Sequence, residues 1–192
     1  MNKSIEQRGF TLIELLVVIA IIAVLAVVVI LTLNPAQLLA QARDSSRISD
    51  MSTLKSAISL YLSDFASPAI GAAGNCYSST TLALTPLLCG SRMTATVVTV
   101  SASPAKVDGT GWIPVVFTNI SAGSPIGSEP VDPTNNGTYF YSYATNASPS
   151  FQFEIDAHME SLKYANTGGS DVESKDGGNN LNVYEVGTKL DL

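Results

Sequence analysis

Glu14 is the one charged residue in the 24-residue run from Phe10 to Leu33, FTLIELLVVIAIIAVLAVVVILTL. An ionised carboxylate in such a helix costs on the order of 2–3 kcal/mol at a bilayer centre, and less near an end. Its chemistry is therefore ion pairing, and it calls for a positive partner. A second acidic group, Asp171, Glu173 and Asp176, stands before Gly177-Gly178 and Asn179-Asn180. Closely spaced acidic oxygens beside glycines could wrap a calcium ion, although the spacing is not that of an EF-hand and a polar loop reads the same way. No other metal ligand is assigned. The single histidine, His158, has no catalytic partners in view and is read as structural. Neither a glycine-rich phosphate loop nor a metalloprotease helix motif is present, so no catalytic set is assigned and no enzyme is expected.

Cys76 and Cys89 have twelve residues between them. Two thiols and a remote histidine do not make a four-ligand zinc site. A disulfide is the expected state in an oxidising compartment, against the alternative of two buried thiols. Closing so short a loop stabilises a fold by roughly 3 kcal/mol on the chain-entropy model.

These residues sit on 192 positions, enough for one long helix and one compact domain. The net charge is −6. After Asp64, five basic residues (Arg92, Lys106, Lys163, Lys175, Lys189) face eleven acidic ones. Such a domain repels phosphate, so nucleic-acid binding by a lone subunit is not expected.

The run from Phe10 to Leu33 would form a helix about 36 Å long, enough to span a bilayer core. MNKSIEQRG before it carries Lys3 and Arg8 against Glu6, which keeps that end in the cytoplasm and places the rest outside. Three readings compete. A secretory signal peptide would have an apolar core about half this long, with a small-residue cleavage site after it. A plain anchor gains nothing from Glu14. In the third, a cut after Gly9 gives Phe10 a new α-amine at the cytoplasmic end. In a stack of such helices, Glu14 of one chain would pair with the Phe10 amine of the next and set their register.

The string RGFTLIELLVVIAII, from Arg8 to about Val29 with the apolar run that follows, resembles the leader junction and N-terminal helix of type IV pilins and type II secretion pseudopilins. The resemblance implies a leader of residues 1–9, cleavage between Gly9 and Phe10 by a prepilin peptidase, and N-methylation of Phe10. It also implies a homo-polymer assembled from an inner-membrane pool by a platform protein and a cytoplasmic ATPase. The implied function is a structural subunit of a pilus-like filament. The alternatives are a major-type pseudopilin of a type II secretion system and a membrane-anchored extracytoplasmic binding module. Major pseudopilins are similar in having a C-terminal calcium loop, which is the reason to weigh calcium at Asp171, Glu173 and Asp176. One departure is visible: many members bend this helix at an internal proline, whereas the first proline here is Pro35.

The expected fold is α+β, a long N-terminal helix packed on a small antiparallel sheet. A transmembrane and assembly half spans 10–33, an amphipathic half 34–66, and an extracytoplasmic head 67–192. Pro35 predicts a kink or break beside Asn34. Ile48, Met51, Leu54, Ile58, Tyr61, Leu62 and Phe65 form one helical stripe that faces the core. Arg43, Asp44, Arg47, Asp50 and Lys55 fall largely off it and are read as a solvated face, with a weak Arg47–Asp50 pair. Ser67 to Gly90 reads as loop, with a short helix near Leu82–Leu88. TATVVTV at 94–100 reads as a strand, and WIPVVF at 112–117 as an edge or extended segment because of Pro114. TYFYSYA (138–144) and FQFEID (151–156) make a hairpin after an Asn135-Asn136-Gly137 turn, and LNVYEV (181–186) adds a last strand. DPTNNGTYFYSYAT and DGGNNLNVYEVGT are also similar to C-terminal parts of bacterial pilin-like proteins.

Overall fold

The computed structural model describes residues 9–81, 89, 92–93, 97–146 and 148–192. The chain forms two compact units, one ending at Leu39 and one running from Ala40 to Leu192. The leader up to Arg8, the helix expected near Leu82–Leu88 and Thr94 to Thr96 lie outside the described residues.

Helix α1, Leu12–Leu33, is apolar on every face and carries neither glycine nor proline. It stops at Asn34, which takes a left-handed conformation with φ 40°. Pro35 then opens helix α2, Pro35–Asp64, where a missing N–H removes no intrahelical bond. The Asn34 carbonyl accepts from Gln37 N at 2.9 Å, so one residue ends the first helix and starts the second.

Within the Ala40–Leu192 unit, α2 buries Ala40, Asp44, Arg47, Met51, Leu54, Ala57, Ile58 and Tyr61, a three-and-four spacing that marks one face. The strands are β1 Asn75–Ser78, β2 Val97–Val100, β3 Tyr141–Asn146, β4 Gln152–Ala157 and β5 Tyr184–Gly187. They form a five-stranded sheet in the order β2-β1-β3-β4-β5. All pairs are antiparallel except β1 with β2, which is parallel. The architecture is α+β and pilin-like. Strand alternation sends Tyr77, Tyr141, Tyr143, Phe153, Ile155 and Val186 into one core with Met51, Leu54, Ile58 and Tyr61 of α2.

The hairpin expected from TYFYSYA and FQFEID is present as β3 and β4, with Tyr143 opposite Ile155. The expected antiparallel sheet is present, with β1 and β2 as its one parallel pair. Two expectations need correction. The segment read as loop contains β1; four residues behind Gly71 and Gly74 are too short to show a period. WIPVVF joins no strand ladder: Asp108 and Val116 make a single bridge, and Phe117–Asn119 is a 3-10 turn. Trp112, Ile113, Val115 and Phe117 are nonetheless buried, so this segment fills the core as irregular chain.

A second, smaller apolar cluster lies apart from the main core and consists of Cys76, Cys89, Met93, Ala144 and Leu192. Cys76 and Cys89 are joined in a disulfide with their Cα atoms 6.2 Å apart. The bond ties β1 to the segment that follows it.

Candidate assembly helix and polar anchors of the head

Thr11 caps the N-terminus of α1, and Glu14 completes a capping box with it. Glu14 Oε2 accepts from Thr11 N at 2.8 Å and from Thr11 Oγ1 at 2.6 Å. Glu14 N donates to Thr11 Oγ1 at 3.3 Å. Two otherwise unbonded donors at the helix start are satisfied in this way. The T-x-x-E signature at 11–14 carried that information in the sequence, beside the ion-pairing reading. Phe10 is exposed, and so is every described side chain of α1. Leu12–Ile30 has a mean hydropathy of 3.4 with none of it buried, long and apolar enough to cross a membrane. A helix that is apolar all round needs lipid or other apolar helices about it.

Of the α2 charges read as a solvated face, Lys55 is exposed, but Arg43 and Asp50 are half-buried. Asp44 and Arg47 are fully buried. Positions 44 and 47 continue the row through Met51, Leu54 and Ile58, so the helix turns its charges inward where the facing loops supply partners. Arg47 Nε and Nη2 donate to the two oxygens of Asp132 at 2.7 and 2.9 Å, a bidentate pair, and Nη1 donates to Asp44 at 2.7 Å. Asp44 in turn accepts from the backbone of Glu160 and Ser161 at 2.9 and 2.8 Å. Arg43 holds Glu160 through Nε at 2.7 Å. Burial opposes the Arg47 charge, but the bonds from Asp132 and Asp44 outweigh it and raise its pKa. The Arg43 bond keeps the Glu160 carboxyl below its ordinary value. Asp50 does not pair with Arg47; it accepts from Tyr141 Oη at 2.7 Å.

The acidic residues near the C-terminus act separately as backbone acceptors. Asp171 accepts from Thr167 N and Ser174 N, both at 3.0 Å. Glu173 accepts from Met159 N at 2.8 Å and Asn166 N at 2.9 Å. Asp176 accepts from Gly178 N at 2.9 Å and Glu185 N at 2.7 Å. His158 Nδ1 lies 2.6 Å from the Asn182 carbonyl and 3.1 Å from Glu173 Oε1, and its ring stacks on Tyr139. Among the described residues, the carboxylates that converge are others: Glu154, Asp156 and Glu185. The sequence hid them, because FQFEID and VYEV alternate as strands whose acidic face would meet water.

The N-terminal segment is where comparison with known proteins bears. Residues 6–30 match the family model described as the prokaryotic N-terminal methylation motif. This is the prepilin-type leader of type IV pilins and pseudopilins. The motif supports a type IV pilin-like or pseudopilin subunit and is common to both. It implies processing by a prepilin peptidase and assembly into a pilus-like polymer. Proteins with this motif are structural rather than enzymatic. Together with the apolar α1 it indicates a membrane-anchored precursor. No curated protein and no solved structure matches the chain significantly.

Proposed function

We propose that the chain is a structural subunit of a type IV pilus-like filament, cut between Gly9 and Phe10 and polymerised through α1. Before assembly α1 crosses the cytoplasmic membrane once, with the basic leader inside and the head outside. The cut gives Phe10 its amine, which the peptidase methylates. Packing of α1 against copies of itself then covers its apolar surface. Glu14 of each subunit pairs with the Phe10 amine of a neighbour and sets the register. The methylation motif over residues 6–30 is the observation that carries this reading. A secretion pseudopilus would use the same N-terminal steps.

The capping box provides a test of the charge. Glutamine at position 14 still accepts from Thr11 N but cannot pair as an anion. In cells that depend on this subunit, Glu14→Gln and Glu14→Ala are both expected to leave the head folded and to abolish most filaments seen by electron microscopy. Wild-type filament yield from Glu14→Gln would show that Glu14 serves as a cap alone.

A further inference from the structure

The strand register places Ser142 opposite Asp156, and Asp156 opposite Glu185. These side chains share the sheet face turned away from the α2 core, since Tyr143, Ile155 and Val186 occupy the alternate positions. Glu154 lies two residues before Asp156 on the same face. Glu154, Asp156 and Ser142 are fully buried, and Glu185 is 1% exposed. Arg92, Met93 and Leu192 are also buried. Two of the carboxylates accept from the backbone. Glu154 Oε2 accepts from Leu192 N at 2.7 Å, and Glu185 Oε2 accepts from Asn180 N at 3.1 Å. Among the described residues, Glu154 Oε1, Glu185 Oε1, both oxygens of Asp156 and Ser142 Oγ accept from no donor. Oxygens of the three carboxylates lie within 4.8 Å of one another.

Buried acceptors without donors are strongly unfavourable, and three carboxylates facing one another are more so. Arg92 is the nearby cation, but its guanidinium donates to the carbonyls of Phe140 and Thr138 at 2.5 and 2.7 Å and lies over the Phe140 ring.

We propose that Glu154, Asp156 and Glu185 form a buried calcium site, with Ser142 Oγ as a further oxygen donor. The donor set is all oxygen, which suits a hard cation and not zinc or copper. Oxygens within 4.8 Å of one another can share one divalent ion. Magnesium usually keeps several of its waters, whereas calcium accepts a shell of protein oxygens, so a buried site lined by carboxylates suits calcium. Three carboxylates, Arg92 and one divalent ion together carry no net charge. The ion would fasten β4 to β5, and through Leu192 N and Asn180 N it would steady the chain over this face. The site is distinct from Asp171, Glu173 and Asp176, and it stands whether or not the filament reading does.

The test is equilibrium dialysis of the full chain in detergent against calcium chloride, with thermal unfolding read in parallel. Wild type is expected to retain one calcium per chain and to gain about 5 °C in its unfolding midpoint over an EDTA control. Asp156→Asn and Glu185→Gln, checked for folding by circular dichroism, are expected to lose both effects, while Asp171→Asn keeps them. Absence of bound calcium in wild type would mean that shared protons neutralise the cluster, and the proposal fails. Retention in both Asp156→Asn and Glu185→Gln, or loss in Asp171→Asn alone, would place the ion elsewhere and also overturn it.

Discussion

At the scale of single residues, several acidic side chains in this protein are placed by the backbone donors they satisfy. Glu14 closes the cap of α1 on Thr11, and Glu129 does comparable work in the head. Glu129 is buried and accepts from Ile113 N at 2.9 Å. Gly111 makes room for it, since a Cβ there would come within 2.4 Å of Glu129 Oε2. Burial, with Asp108 adding repulsion and the backbone donors opposing, pushes the Glu129 carboxyl up to about 8. A raised carboxyl pKa means that the folded state keeps a proton that the unfolded chain has released. Its stabilising contribution is therefore full below about pH 4.5 and is lost as pH rises towards about 8. Thermal unfolding in EDTA is expected to show a midpoint that falls across this window, with a shallower fall in Glu129→Gln. Identical slopes in the two proteins would remove Glu129 as a cause.

At the scale of elements, α2 is held by two different kinds of bond along its length. Its C-terminal half is fixed by apolar packing of Leu54, Ile58 and Tyr61. Its N-terminal half is fixed by Arg47 between Asp44 and Asp132. Removing one partner of a buried ion pair leaves the others charged and unpaired, at a cost of about 3–5 kcal/mol. Arg47→Met is expected to lower stability by that amount in thermal or denaturant unfolding, and a loss under about 1 kcal/mol would show that the pair is replaceable. The sequence disclosed the apolar half of this design and not the polar half. Periodicity marks Met51, Leu54 and Ile58 because their chemistry and their burial agree. It misplaces Asp44 and Arg47, whose burial depends on Asp132 and Glu160, far away in the chain. The same limit explains the acidic face of β4, where the pattern of FQFEID is correct for a strand but says nothing of what covers its second face. β1 is not legible in the sequence because four residues carry too little pattern.

At the scale of the whole molecule, the chain combines an apolar helix that its own fold leaves uncovered with a head that has its own core and disulfide. The N-terminal part was legible because its signals are local: a basic leader, a small residue before Phe10, one acid, and an unbroken apolar run. Those same signals carry the central claim, that cleavage after Gly9 turns a membrane-anchored precursor into a filament subunit. The direct measurement is intact mass and N-terminal fragment sequencing of the protein recovered from cells with an active prepilin peptidase. A chain beginning at Phe10 and bearing one methyl group on its amine is the predicted result. A chain that retains Met1, or that has been cut near Ala26 within the apolar run, would contradict it.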